Sequence, residues 1–244
     1  MQNLNNFPKT VVKPAQCPNC GKEFDYTVYP EITIPGNNKL KKQVMNKVLF
    51  YPKCPACGEE FKIKADCIYR NDTKKEIFVV TEHLDADFES LLKTGDINLS
   101  DVKTEDDMTK FMGGQYKRRL VYDVDAFREK ILLSDNNYDD RIIELMKLSL
   151  SGMLEKDTSM PVYRIYLDDT AGNVLQFTAI MGVFPPFEYI FVKTPSMVYT
   201  QFKKDYFDKL GMPEADEYIL TNQEWAAKSG LLKDGPAGFV IPLQ

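Results

Sequence analysis

A five-residue motif occurs twice in this 244-residue chain, as Cys17-Pro-Asn-Cys20-Gly and again as Cys54-Pro-Ala-Cys57-Gly. The proline after the first cysteine fixes φ, and the glycine after the second permits a left-handed residue close to the sulfurs. Such a turn can aim two thiols at one point, so two turns supply the four ligands of a tetrahedral metal site. We therefore predict a metal site made of four cysteines: Cys17, Cys20, Cys54 and Cys57.

The predicted metal is one structural Zn²⁺, because zinc is redox-inert and accepts four thiolates in tetrahedral geometry. The separation of Cys20 from Cys54 exceeds the roughly 15–20 residues of a compact four-cysteine pattern, which predicts an inserted segment between the turns. Lys22 and Lys53 stand beside the motifs and would offset the charge of the thiolates. Iron is the alternative metal, because paired Cys-Pro-X-Cys-Gly turns also resemble those of rubredoxin, which holds one redox-active iron. A disulfide pair or four unrelated thiols is the alternative without a metal.

The fifth cysteine and the single histidine are not predicted to be ligands. Cys67 falls on the apolar side of the alternating stretch Phe61–Tyr69, so we interpret it as a small core residue. His83 stands in a polar stretch and is interpreted as a surface residue. A catalytic cysteine needs a base beside it, and this arrangement does not favour a Cys/His dyad.

The overall composition limits the classes of partner and compartment. The formal net charge of −5 argues against a protein that coats nucleic acid. The longest apolar stretch, Phe177–Phe184, is far shorter than a membrane span, and the first residues lack the pattern of a signal peptide. Reduced cysteines that serve as ligands are typical of cytoplasmic proteins. We therefore expect a cytoplasmic protein that does not associate with membranes.

The spacing of apolar residues predicts an α+β fold that begins with a zinc-ribbon-like, β-rich module over residues 11–81. A helix over Lys39–Lys47 is inserted between the two cysteine motifs. Strands over Phe61–Tyr69 and Glu76–Thr81 are predicted to form a hairpin around a turn-forming Asn-Asp pair. The module therefore combines two metal-binding turns, several strands and one helical insertion.

The remainder of the chain divides into three predicted parts. Residues 82–114 are rich in acidic side chains and are interpreted as a linker or insertion. Residues 115–157 form a strand and a helical pair that complete the first domain, and residues 160–244 form a C-terminal α+β region with a β-hairpin and helices. Three helices have predicted capping residues at their N-termini: Asp123, Thr194 and Thr221.

Three segments beyond the doubled motif add a family resemblance: Ile68–Asp72, Arg119–Tyr122 and Asp139–Lys147. Over residues 15–150 the chain resembles the CpXC domain family, because the two cysteine turns, the predicted hairpin and the charged segment Asp139–Lys147 occur in this order. The resemblance implies a bacterial or archaeal protein whose four motif cysteines bind metal. It implies no particular activity, and it does not extend to the residues after 160.

The favoured functional hypothesis is a non-catalytic interaction module with an unidentified protein partner. The sequence has no Gly-x-x-x-x-Gly-Lys loop, no His-Glu-x-x-His and no Gly-x-Ser-x-Gly, and a closed four-thiolate site leaves no position for a reacting water. The paired carboxylates Asp139-Asp140 and Asp168-Asp169 are interpreted as a helix start and a turn. The question of an enzymatic activity is left open, with no catalytic residue assigned.

Two alternative functions are retained. A nucleic-acid-binding zinc-ribbon protein would use the lysines between the motifs with Phe50 and Tyr51 nearby, and the cluster Lys117-Arg118-Arg119. A rubredoxin-like redox protein would hold iron in the same four-cysteine site. The lysines between the motifs are Lys39, Lys41, Lys42, Lys47 and Lys53.

Overall fold

The structure, a computed structural model, describes residues 10–64, 66–81, 116–211 and 219–232. The chain divides into two compact units, residues 1–128 with 213–219 and residues 129–212 with 220–244. Helices and mixed sheets occur together, which confirms the predicted α+β class. Within the described residues, no helix is both long and apolar enough to cross a membrane.

The first unit begins with an antiparallel hairpin. Strand β1 (Val11–Gln16) pairs with β2 (Glu23–Val28), and the first cysteine motif forms the connection between them. Phe24 and Tyr26 are half-buried and Val28 is buried, while the residues between them are exposed. This alternation is the period of a strand with one covered side.

A four-stranded mixed sheet follows in the order β3 (Glu31–Ile34), β4 (Cys67–Asn71), β5 (Glu76–Val80) and β6 (Lys117–Val121). The outer pairs are parallel and the central pair is the predicted hairpin, with antiparallel strands. Helix α1 (Asn38–Met45) and the second cysteine motif lie between β3 and β4 along the chain, so the predicted helical insertion is confirmed.

The predicted strand over Phe61–Tyr69 is wrong in its first half. The N–H of Phe61 donates to the carbonyl of Pro52 at 3.3 Å, and that of Ile63 donates to the carbonyl of Phe50 at 3.0 Å. These residues therefore bond back to the chain before the second motif and leave only the later residues for the sheet. Alternation alone did not identify this change of partner, because it reports side-chain direction and not strand pairing.

Aromatic side chains form the centre of the first unit. Tyr69 stacks on Phe78 at 5.6 Å between ring centroids and meets Phe127 edge-on at 6.1 Å. Phe127 also meets Phe50 edge-on at 6.0 Å and lies on helix α2 (Val124–Asp135). The predicted cap of this helix is confirmed, because a carboxylate oxygen of Asp123 accepts from two backbone N–H groups at 2.9 Å.

The second unit contains helix α3 (Asp140–Thr158) and an antiparallel sheet of three strands in sequence order. The strands are β7 (Val162–Asp169), β8 (Val174–Met181) and β9 (Glu188–Pro195), and β7 and β8 form the β-hairpin that the sequence predicted for this region. Helix α4 (Ser196–Tyr206) and α5 (Gln223–Lys228) follow, and both pack against α3. One face of the sheet is fully buried through Ile165, Leu167, Leu175, Phe177, Ala179, Met181 and Val192.

Two predicted helix caps are wrong. Thr194 is a buried residue of β9, and α4 begins after Pro195 without a side-chain cap. Helix α5 is capped by Asn222, whose side chain accepts from the N–H of Trp225 at 2.8 Å, while Thr221 is buried one position earlier. Both threonines were predicted to be caps from their residue type alone, but both lie in the interior.

Candidate metal centre

The two cysteine motifs form turns with the same backbone hydrogen bonds. The N–H of Gly21 donates to the carbonyl of Cys17 at 2.9 Å, and that of Gly58 donates to the carbonyl of Cys54 at 3.0 Å. In each turn the N–H of the first cysteine also donates to the carbonyl five residues later, at 3.0 and 2.8 Å respectively. The repeated sequence thus produces a repeated local structure, which holds both pairs of thiols in the same backbone geometry.

The glycine of each motif is required by its backbone conformation. Gly21 has φ of 71° and Gly58 has φ of 78°, in the left-handed region that side chains disfavour. A Cβ atom at Gly21 would meet no atom within 4 Å, so the requirement is conformational and not steric.

The four sulfurs converge. The Sγ atoms of Cys17 and Cys57 are 3.6 Å apart, as are those of Cys20 and Cys54, and all four lie within 4.8 Å of one another. Zn–S bonds of about 2.3 Å in a regular tetrahedron would place sulfurs about 3.8 Å apart. The spacing therefore fits four thiolates around one ion and could hold a metal. Both close contacts join one motif to the other.

Each motif contributes one covered and one accessible thiol. Cys17 and Cys54 are buried, whereas Cys20 and Cys57 are exposed. The sulfur of Cys54 accepts from the N–H of Ala56 at 3.4 Å, and that of Cys57 accepts from the amide of Asn19 at 3.7 Å. Such donors disperse the negative charge of a four-thiolate centre.

The thiols interact strongly as acids. The backbone N–H of Cys57, with that of Ala56, lowers the pKa of Cys54 to about 6 despite its burial. For Cys20 the backbone N–H of Lys22 acts in the lowering direction, but hydrogen bonding with the other sulfurs, first that of Cys57, raises its pKa to about 12. The titrations of these thiols are therefore coupled, and binding a metal would release the protons that they hold.

The fifth cysteine lies apart from this group. Cys67 is 2% exposed in β4, which confirms its assignment to the core, and burial raises the pKa of its thiol. His83 and the acidic segment that begins beside it lie outside the described residues.

Several residues that the nucleic-acid hypothesis requires at the surface are buried in the structure. Phe50 is 3% exposed and so offers no ring for stacking, and Tyr51 is half-buried with its hydroxyl donating to Asp125. Arg118 and Arg119 are each 2% exposed within β6. The two arginines of the predicted basic cluster are therefore interior residues, and Lys117 beside them is half-buried, so the three do not form an exposed phosphate-binding surface.

The paired carboxylates have structural partners. Asp139 caps α3 by accepting from the N–H of Arg141 at 2.9 Å, and it pairs with the guanidinium of the same residue at 2.7 Å. Asp168 accepts from the hydroxyl of Thr178, and Asp169 accepts from a backbone N–H in the turn at 2.7 Å. The helix start is therefore confirmed for Asp139-Asp140, whereas the turn is wrong for Asp168-Asp169, because both residues are the last two of strand β7.

Sequence reasoning missed a buried ion network between α2 and α3. Lys147 lies 2.5 Å from Glu129 and 3.0 Å from Glu144, and Lys130 lies 3.1 Å from Asp140 and 3.5 Å from Glu144. All five residues are at most 3% exposed. Asp140, Glu144 and Lys147 recur at i, i+4 and i+7 of α3, and a charged stripe with this spacing is ordinarily assigned to solvent, so the sequence carried no signal of burial.

Comparison with known proteins supports the metal centre through family membership. A family model described as CpXC protein matches residues 15–147, which is more than half of the chain and includes all four converging cysteines. No curated protein matches the chain. No solved structure matches it either.

Proposed function

This chain belongs to the CpXC protein family, and we propose that it is a zinc-stabilised, non-catalytic interaction protein. One structural Zn²⁺ is held by four thiolates and stabilises a module over residues 11–81. The surfaces around the metal and in the second unit bind a protein partner. The proposed ligands are Cys17, Cys20, Cys54 and Cys57.

The observation that carries this proposal is the convergence of four thiols from two turns of equal geometry, all within 4.8 Å. Four sulfur ligands suit zinc, and they fill a tetrahedral shell so that no position is left for a substrate water. A site of this kind stabilises structure and does not activate a nucleophile. Thiolate ligands also require a reducing compartment, which is consistent with the proposed cytoplasmic location.

The first hairpin explains why this part of the chain needs a metal. In β1 and β2 only Val28 is buried, and most of the other side chains are exposed. A two-stranded hairpin with so little apolar burial is marginal by itself in water. Phe24 of β2 meets Phe61 edge-on at 6.1 Å beyond the second motif, a single ring contact that the metal would reinforce. Metal binding would thus contribute directly to the folding free energy of the module.

Elemental analysis of protein purified without added metal tests the ligands. We expect about one zinc per chain, and Cys20→Ser should lose most of it and unfold at a lower temperature, because removing one ligand opens the coordination shell. A colourless preparation is expected with zinc, whereas a ferric four-cysteine centre would absorb visible light.

Cys67→Ala is the matched control, because it removes a cysteine of the same unit that lies outside the converging group. This variant should keep its zinc even though its core is perturbed. Full zinc content in Cys20→Ser, or loss of zinc in Cys67→Ala alone, would show that the ligand set is wrong.

A further inference from the structure

The two cysteine motifs occupy equivalent positions in the metal centre. Exchanging one motif for the other converts the contact between Cys17 and Cys57 into the contact between Cys54 and Cys20, and both sulfur–sulfur distances are 3.6 Å. The backbone hydrogen bonds that close the two turns correspond in the same way. Cys20 and Cys57, the exposed thiols, are therefore a matched pair that the backbone treats alike.

One side chain breaks this equivalence. Asn19 and Ala56 hold corresponding positions, because each directly precedes the exposed cysteine of its own motif. The amide of Asn19 donates to the sulfur of Cys57, which belongs to the other motif, at 3.7 Å. The corresponding neighbour of Cys20 is Ala56, whose methyl group has no donor to offer. The matched pair of exposed thiols therefore differs in one hydrogen bond from a side-chain amide.

A hydrogen bond to a thiolate lowers its nucleophilicity, because it stabilises the negative charge that attacks an electrophile. A bond of this strength changes a rate by about two- to tenfold. The other two sulfurs are protected differently, since Cys17 and Cys54 are 1% and 2% exposed and reagents do not reach them. Cys20 is therefore the accessible thiolate that lacks the protection given to Cys57.

We propose that Asn19 sets the order in which the thiolates of the metal centre react, so that soft electrophiles modify the protein at Cys20. The sulfur of Cys20 forms a bond to the electrophilic carbon, and the leaving group departs with the electron pair of the bond that breaks. The thioether formed is uncharged and no longer a thiolate ligand, so this one modification opens the coordination shell and releases the metal. The inference deepens the proposed function and rests on it, because it requires zinc at this site.

Alkylation of the zinc-loaded full chain by iodoacetamide tests the inference. This reagent is uncharged, so it is not steered by Lys22 and Glu59, which follow the two exposed cysteines with opposite charges. A substoichiometric amount is added, and mass spectrometry locates the label in chains that carry only one, because release of the metal frees the remaining thiols. In the wild type we expect at least about three times as much label on Cys20 as on Cys57.

Two variants at the corresponding positions make the test specific. Asn19→Ala removes the donor from Cys57 and should bring its labelling up to that of Cys20. Ala56→Asn supplies the equivalent donor to Cys20 and should lower its labelling to that of Cys57. The two changes together should reverse the preference of the wild type. A general loosening of the turns would raise the labelling of both cysteines and would not reverse their order.

Zinc content is measured on every sample before the reagent is added, and we expect it to be the same in all of them. Equal label on Cys20 and Cys57 in the wild type, or an unchanged ratio in Asn19→Ala, would overturn the inference. With full zinc content, such a result contradicts the role of Asn19 and leaves the metal assignment intact. A wild-type chain that binds no zinc contradicts the proposed function and the inference with it.

Discussion

Among single residues, glycines with different backbone conformations should respond in opposite ways to the same substitution. Gly21 has positive φ in a metal-binding turn, whereas Gly152 lies inside helix α3, and neither would place a new Cβ within 4 Å of another atom. Gly21→Ala should therefore lower the free energy of unfolding by about 1–2 kcal/mol, because alanine disfavours the left-handed backbone. Gly152→Ala should raise the free energy of unfolding by about 0.5–1 kcal/mol, because alanine is the better helix former.

Chemical denaturation of zinc-loaded protein measures both effects. Because neither change meets a neighbouring atom, each reports on the backbone alone. If Gly21→Ala matched the wild type in unfolding free energy, the turn would not need its left-handed glycine. If Gly152→Ala were destabilising, the helical conformation at that position would be in doubt.

Between secondary-structure elements, the buried network on α2 and α3 should make stability depend on pH. Burial raises the pKa of Glu129 to about 7, partly opposed by Lys147 and supported by the nearby Glu144. An ordinary glutamate titrates near 4.3, so between about pH 4.3 and 7 the folded chain holds more protons than the unfolded chain. Linkage then requires stability to fall as pH rises through this window and to level off above it. Denaturation midpoints measured from pH 5 to 8 should show this decline, and Glu129→Gln should remove most of it.

Glu224→Gln provides the control for that experiment. Glu224 lies on α5, is exposed and pairs with Lys228 at 2.6 Å, which lowers its pKa. It therefore stays ionised throughout the window, and its replacement should leave the pH profile parallel to that of the wild type. A profile of Glu129→Gln that fell as steeply as the wild-type profile would assign the titration to another group.

For the chain taken together, the sequence predicted local structure better than it predicted which distant segments pack or pair with one another. The paired motifs identified all four converging cysteines, since their geometry is encoded within five residues, and the β-hairpin predicted after residue 160 is present as β7 and β8. The parallel pairing of β3 with β4 and of β5 with β6 was not predicted, because it joins segments distant in sequence. Periodicity gives the direction of a side chain but not the element that covers it.

Buried charge was the other failure of prediction, and its cause is physical. Arg118 and Glu129 belong to residue types that are almost never fully buried unless paired. Glu129 is paired with Lys147 of another helix, and a single-sequence pattern does not reveal such a distant partner, so it assigns these residue types to solvent. The predictions of Thr194 and Thr221 as helix caps were wrong for a related reason, since a residue type suited to a helix end is also suited to a polar position in the interior.

The claim that the metal supports structure is tested by hydrogen exchange on the zinc-loaded chain, before and after chelation under reducing conditions. All four proposed ligands lie in the first unit, and the buried face of the sheet β7–β9 contains no cysteine. We predict that amides of β1, β2 and both cysteine turns lose protection when zinc is removed, while those of α3 and β7–β9 keep theirs. Unchanged protection in β1, β2 and both turns after complete removal of zinc would contradict a structural role for the metal.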